Sequence, residues 1–96
     1  MRILAIEKEL PGKTEADFPN HSKAEAHQVW KLIQEEKIRE IYFRRDQDSA
    51  VILLECQDLK EAVNILDTLP LVKNNLIQFE LIPLRPYPGL ERLFGE

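Results

Sequence analysis

The hydrophobic and polar positions of the first half of the chain predict three β-strands. Residues 1–10 (MRILAIEKEL) open with an apolar run and predict a first strand. Residues 38–45 (IREIYFRR) and 50–56 (AVILLEC) are rich in β-branched and aromatic side chains, which are typical of strands. The polar stretch DQDS at 46–49 lies between them, so these two strands are predicted to form a hairpin.

Between the first strand and the hairpin, apolar residues recur at helical spacing, which predicts a helix over about residues 21–36. Ser22 and Glu25 have the S-x-x-E spacing of a capping box, in which each side chain bonds the backbone of the other residue. Apolar residues then recur at the spacing of one helix face: Ala26, Val29, Trp30 and Ile33. We therefore expect Trp30 to lie in the core.

A second helix is predicted after the hairpin, with Asp58 as its N-cap, Glu61 in its first turn and Pro70 at its end. Its apolar face is formed by Ala62, Ile65, Leu66 and Leu69. LIQFELI at 76–82 predicts the last strand, and Pro83 marks the place where ladder pairing fails or a sheet edge begins. The order βαββαβ predicts one ferredoxin-like α+β domain over residues 1–96, with a four-stranded antiparallel sheet and both helices on one face.

Alternate residues of each strand divide the predicted sheet into two faces. One set is almost entirely apolar and is predicted to contact the helices: Leu4, Ile6, Ile41, Phe43, Ile52, Leu54, Ile77, Phe79 and Leu81. The other set mixes apolar and polar residues: Ile3, Ala5, Glu7, Glu40, Tyr42, Arg44, Val51, Leu53, Glu55, Gln78, Glu80 and Ile82. A second copy packed against this mixed face would bury its aliphatic side chains. The alternative is that isolated surface aliphatics need no partner.

The C-terminal segment 83–96 is also apolar, although a frayed terminus is usually polar. Its prolines restrict the backbone, and Tyr87, Leu90, Leu93 and Phe94 need a surface to cover. We expect this C-terminal arm to pack on a neighbouring subunit of a homodimer or larger homo-oligomer.

Composition narrows the choice of partners and location. The formal net charge is −4 and the Lys and Arg residues form no basic block, which argues against nucleic acid or an anionic membrane as the main partner. The only cysteine, Cys56, is expected to be a buried, inert thiol, and a lone thiol fits a reducing cytoplasm. No signal peptide or membrane-spanning run is visible, so the predicted location is cytoplasmic.

Six polar residues of the mixed face could line a cavity between two packed sheets: Glu7, Tyr42, Arg44, Glu55, Gln78 and Glu80. In this hypothesis Arg44 holds a carboxylate of a small ligand, Tyr42 positions a carbonyl oxygen, and Glu7 or Glu55 moves a proton. Gln78 and Glu80 complete the ligand-binding side. The alternative is that Arg44 only pairs with a glutamate at a dimer seam.

Metal and cofactor sites are not predicted. His21 and His27 lie six residues apart, on different sides of a helix, and His27 is expected to face solvent. The three glycines form no phosphate-binding loop.

The sequence resembles the muconolactone isomerase-like family of dimeric α+β barrels. The resemblance rests on EAHQVWKLIQEEKIREIYFRRD, on AVILLECQDLKEAVNILDTLPL, whose LPL at 69–71 is its most specific part, and on the last strand running into PLRPYP. It implies sheet-to-sheet dimers and, for the namesake enzyme, a cofactor-free 1,3 proton shift on a lactone that carries a carboxymethyl group. The turns EEKIRE and RDQDS lack the glycines of the enzyme pattern, and no catalytic residue is carried over.

Two functions follow as hypotheses. The first is a cofactor-free isomerase that acts by proton transfer on a small carboxylated molecule. The second is a non-catalytic oligomeric protein that binds a small molecule or has a structural role.

Overall fold

A computed structural model describes residues 1–12 and 18–95 and confirms the predicted ferredoxin-like α+β fold. The strands and helices are β1 (Arg2–Glu9), α1 (Ser22–Gln34), β2 (Ile38–Phe43), β3 (Ala50–Glu55), α2 (Leu59–Leu66), α3 (Pro70–Lys73) and β4 (Ile77–Leu84). Short 3-10 turns span Pro19–His21 and Pro88–Leu93. The four strands form one antiparallel sheet in the order β2-β3-β1-β4, so β2 and β4 are its edges.

In β1 the residues that face the helices are displaced by one position from the prediction. Ile3 pairs with Leu54 and Ala5 pairs with Ile52, and directly paired residues point to the same face of a sheet. Ile3 and Ala5 are fully buried in the core, so the prediction that Leu4 and Ile6 contact the helices is wrong. The apolar run ILAI does not alternate, and only the cross-strand partners determine which of its residues point inward.

Trp30 lies outside the core, contrary to the prediction, with 59% of its surface exposed. The buried residue of α1 is Leu32, and Val29 and Ile33 pack beside it. Two residues correspond to about 200° around a helix, so burial of Leu32 turns Trp30 away from the sheet. α2 contributes Ala62, Ile65 and Leu66 to the core, as predicted. No helix in residues 1–12 and 18–95 is long and apolar enough to cross a membrane.

The two predicted helix starts have different outcomes. Asp58 caps α2 as predicted, because its Oδ1 accepts a hydrogen bond of 2.8 Å from the amide of Glu61. The predicted capping box of α1 is wrong. Ser22 is the first helical residue, and its hydroxyl donates to the carbonyl of Phe18 at 3.2 Å. Glu25 is thereby free of a capping role and bonds another part of the chain.

Two prolines lie inside elements rather than beyond them. α2 ends at Leu66, and Pro70 begins the short helix α3 instead of ending α2. Proline is favoured there because the first helical residue needs no backbone N–H donor. Pro83 lies within β4 opposite Ile3, which is tolerated because β4 is an edge strand.

The second face of the sheet carries accessible apolar side chains in the isolated chain. Leu4, Ile6, Val51 and Leu53 are only half-buried there, and Ile82 is exposed. We call this the open face. The C-terminal arm is exposed as well, and 90% of the surface of Phe94 is accessible. In a single chain these surfaces leave apolar area in water.

Candidate functional site

The structure does not gather the six predicted residues around one point. Glu7 follows the phase of Ile3 and Ala5 and therefore points to the helix side, away from the open face. Its placement on the mixed face is therefore wrong, for the reason given for β1. The other five residues lie on the open face or at its margins, and each of the four charged or hydroxyl-bearing ones has a local partner.

Arg44 and Tyr42 bond residues two positions away. Both Nε and Nη2 of Arg44 bind the carboxylate of Asp46, at 3.0 and 2.7 Å, within the β2–β3 turn. The Tyr42 hydroxyl donates to Oε1 of Glu40 at 2.7 Å, and this bond raises the pKa of Tyr42. In the isolated chain Arg44 is thus paired with an aspartate of its own hairpin. Its role as a carboxylate ligand stays a prediction.

Glu55 and Glu80 also form ion pairs. Oε2 of Glu55 lies 2.9 Å from the N-terminal ammonium of Met1, and this hydrogen bond is the main reason that the pKa of Glu55 is lowered. A carboxylate with a lowered pKa is a weak base near neutrality. Glu80 pairs with Lys8 at 3.6 Å, and Gln78 lies opposite Lys8 in the ladder. Their catalytic or binding roles stay predictions.

A cavity lies on the helix side of the molecule, beside Glu7. Its volume is about 670 Å³, and it lies between the first half of α1, the end of β1 and the β2–β3 turn. The apolar lining is formed by Phe18, Pro19, Ala26, Val29, Phe43 and Leu71. The polar lining is formed by Glu7, Glu9, Ser22, Glu25 and Asp48. We call it the helix-side cavity, and its volume is within the range of small-molecule sites.

Glu7 is the most buried charged group of this cavity, with 8% of its surface exposed. Its Oε1 accepts a hydrogen bond of 3.0 Å from the amide of Ala50, which ties β1 to the start of β3. Burial raises the pKa of Glu7 above its ordinary value of 4.5. The bond from Ala50 partly opposes this rise, and the charge of Glu9 adds to it.

Glu25 is the second carboxylate of the cavity and is half-buried. Its Oε1 accepts a hydrogen bond of 3.0 Å from the amide of Leu71, which joins α1 to the first turn of α3. Burial is the main cause of its raised pKa, and the negative charge of Glu7 raises it further. The Leu71 bond and the nearby His21 lower it in part. Because the two carboxylates interact, ionisation of one opposes ionisation of the other.

Such a pair can carry acid–base chemistry. Two titratable groups whose environments differ can hold one proton between them, so that one accepts a proton while the other donates one. In the part of the chain that the structure describes, no group of three or more His, Cys, Asp or Glu side chains is arranged to hold a metal ion.

Three further residues with reactive or polar side chains lie outside the lining of the cavity. Cys56 is buried, as predicted, and burial raises its pKa; the inertness of its thiol stays a prediction. His27 is exposed, as predicted. Ser49 is 7% exposed, and its hydroxyl has no hydrogen-bond partner among residues 1–12 and 18–95. It lies between Asp48, which lines the cavity, and Ala50, which bonds Glu7.

The presence of Glu7 and Glu25 in the lining of one cavity was not predicted from the sequence. Glu25 was not identified as a candidate site residue, because its S-x-x-E spacing with Ser22 assigned its carboxylate to capping the start of α1. A signal was present in the periodicity of α1: Glu25 lies one position before Ala26 and four before Val29, at the edge of the apolar stripe. A glutamate at such an edge can point along the core.

Comparisons with known proteins show the fold but not a family. No family model matches this sequence, and no curated protein matches it. Among solved structures, the chain is similar to 5-chloro-2-hydroxyhydroquinone dehydrochlorinase (TftG) from Burkholderia phenoliruptrix AC1100, in complex with 2,5-dihydroxybenzoquinone. The TM-score is 0.71 at 15% identity, over 93% of this chain and 98% of that chain.

This similarity bears on the fold alone, the ferredoxin-like α+β arrangement of a four-stranded antiparallel sheet with helices. The neighbour is a small-molecule-processing enzyme of that fold. At 15% identity the likeness carries no residue role to this chain. Membership of the muconolactone isomerase-like family stays a prediction.

Proposed function

We propose that this protein is a small cofactor-free enzyme of isomerase type, which moves a proton within a small ring compound held in the helix-side cavity. The observation that carries the proposal is the pair Glu7 and Glu25, two carboxylates with raised pKa values in the lining of one cavity. Raised carboxyl pKa values bring acid and base strength closer to the working pH.

The environments of the two carboxylates suggest their roles. Glu7 is nearly enclosed, so its neutral form is favoured and it serves as the acid. Glu25 is more accessible, and His21 favours its ionised form, so it serves as the base. Glu25 removes a proton from carbon next to a carbonyl, while Glu7 donates a proton to the carbonyl oxygen. In a ring ketone whose C=C bond is attached to that carbon, the product is a dienol. Glu25 then gives its proton to the far carbon of the former C=C bond and Glu7 takes back the hydroxyl proton, which completes a 1,3 shift without net gain or loss of atoms.

The fold neighbour supports a ligand of this size. The TftG structure contains 2,5-dihydroxybenzoquinone, a six-membered ring compound, within a chain of the same architecture. That ligand and the dehydrochlorinase activity belong to TftG. The shared point is that this small α+β fold is compatible with the processing of a ring compound.

Deuterium exchange into 2-tetralone, a ring ketone with acidic C–H bonds, tests the proposal. We expect the protein to accelerate exchange in D₂O, followed by proton NMR. Glu7→Gln and Glu25→Gln should each reduce the rate by about 10²- to 10⁴-fold, which is the usual contribution of a general acid or base. Glu35→Gln is the matched control, because Glu35 follows the last residue of α1, at the opposite end of the helix from Glu25.

Two outcomes would contradict the proposal. One is exchange that is no faster than with the double variant Glu7→Gln/Glu25→Gln. The other is loss of exchange in Glu55→Gln together with full activity in both cavity variants, which would favour the open face.

A second function has its own supporting observation. The open face and the C-terminal arm expose Ile82, Tyr87, Leu90, Leu93 and Phe94, which suits a homo-oligomer whose role is structural or limited to binding a small molecule. In that case 2-tetralone or a related ring compound would bind the cavity without exchange. The buried thiol of Cys56 is compatible with the cytoplasmic location that we propose for either function.

A further inference from the structure

We propose that the helix-side cavity selects its ligand by charge: it takes a small uncharged or cationic ring compound with O–H or N–H donors and rejects carboxylates. The inference rests on the proposed function, since it concerns the same cavity. It differs from the carboxylated ligand that the sequence suggested.

The first argument is the charge of the described lining. It contains Glu7, Glu9, Glu25 and Asp48 and no Lys, Arg or His. A carboxylate brought into this lining meets the like charges of Glu9, Glu25 and Asp48, whereas an ammonium group meets opposite charges. The nearby His21 acts on Glu25 but does not line the cavity. The arginine proposed to hold a carboxylate, Arg44, bonds Asp46 instead.

The second argument is hydrogen-bond polarity. An ionised carboxylate only accepts hydrogen bonds. Glu25, the base of the proposed function, receives the backbone amide of Leu71 on Oε1, so in the described part of the chain its Oε2 remains as an acceptor for a ligand. A ligand with an O–H or N–H group satisfies this oxygen, whereas a second carboxylate brings only more acceptors.

The third argument is the shape of the apolar lining. Phe18 and Phe43 both line the cavity, together with the aliphatic residues Val29 and Leu71. Aromatic side chains favour ring ligands, and their faces attract cations. Ring recognition and an acidic lining therefore favour the same class of ligand.

Three probes of similar shape separate ring recognition from charge: 2-phenylethylamine, 2-phenylethanol and 3-phenylpropionate. Binding is measured by NMR titration of the full chain at pH 7 and about 10 mM salt, and it needs no turnover. We expect the amine to bind at least about tenfold more tightly than the carboxylate, with the alcohol between them. The difference should shrink at about 0.5 M salt, where charges are screened within a few Å.

Variants identify the groups responsible. Glu25→Gln and Asp48→Asn should each weaken the amine and strengthen the carboxylate, whereas Glu35→Gln should change neither. At pH 5 the amine preference should be smaller, because the raised pKa of Glu25 leaves this carboxyl less ionised there than at pH 7. If a variant proves unstable, the salt and pH series on the unchanged protein still tests whether charge selects the ligand.

Equal or tighter binding of 3-phenylpropionate would overturn this inference, and so would failure of all three probes to bind. The proposed function fails separately. An amine preference without deuterium exchange in 2-tetralone would support charge selection and contradict the proposed enzymatic function. Deuterium exchange together with a preference for the carboxylate would support the enzymatic function and contradict charge selection.

Discussion

At the scale of single residues, burial distinguishes the chemistry of glutamates that look alike in the sequence. Glu7 and Glu25 have raised pKa values because they are withdrawn from water. Glu55, which is exposed and bonded by the N-terminal ammonium, has a lowered pKa. The sequence identified Glu7 and Glu55 as candidate bases but could not separate them, because neither burial nor partners are encoded locally.

The raised pKa of Glu25 predicts how stability depends on pH. Above its ordinary value of 4.5, the folded chain retains a proton that the unfolded chain has released. The contribution of Glu25 to stability therefore falls as the pH rises through this window. Glu25→Gln keeps an acceptor for the Leu71 amide but carries no charge, so it should be more stable than the unchanged protein at pH 7.

Urea unfolding at pH 7 and at pH 4 measures this effect. The gain in unfolding free energy from Glu25→Gln should be present at pH 7 and largely absent at pH 4. The exposed Glu35 provides the control, and Glu35→Gln should show no such pH-dependent gain. A loss of stability at pH 7 in Glu25→Gln, with pH-independent size, would show that burial does not raise this pKa.

At the scale of elements, the order of strands and helices was predictable from the sequence. Which residues of each element face the core was less predictable. The predicted inward residues of β3, Ile52 and Leu54, are buried, and the Asp58 cap located the start of α2. The run ILAI in β1 and the cluster around Trp30 are apolar on both sides, so their orientation depends on tertiary contacts. The cavity itself escaped prediction because β1, α1, α3 and the β2–β3 turn each contribute one or more residues.

At the scale of the whole molecule, the open face and the arm point to assembly with a second copy. Leu53 and Ile82 lie on the open face, while Tyr87 and Phe94 extend the apolar surface beyond β4. The described chain has extents of 57 × 29 × 21 Å, which is elongated for its size. We propose a sheet-to-sheet homodimer, or a multiple of it, in which the arm covers a neighbouring subunit.

Deletion of residues 86–96 tests the arm. We expect the shortened chain to dissociate at higher concentrations than the full chain and to melt several degrees lower, because the apolar residues of the arm no longer cover a partner. Sedimentation velocity and thermal melting across a concentration series measure both effects. Identical sedimentation and melting of the two chains would remove the arm from the interface.

The central claim is that Glu7 and Glu25 form an interacting carboxyl pair in one cavity, and carbon-13 NMR of the glutamate carboxyl groups tests it most directly. We expect both groups to titrate above 4.5 and Glu25→Gln to lower the pKa of Glu7, because removal of a neighbouring negative charge makes ionisation easier. Titration of both groups at or below 4.5, with Glu7 unaffected by Glu25→Gln, would contradict it.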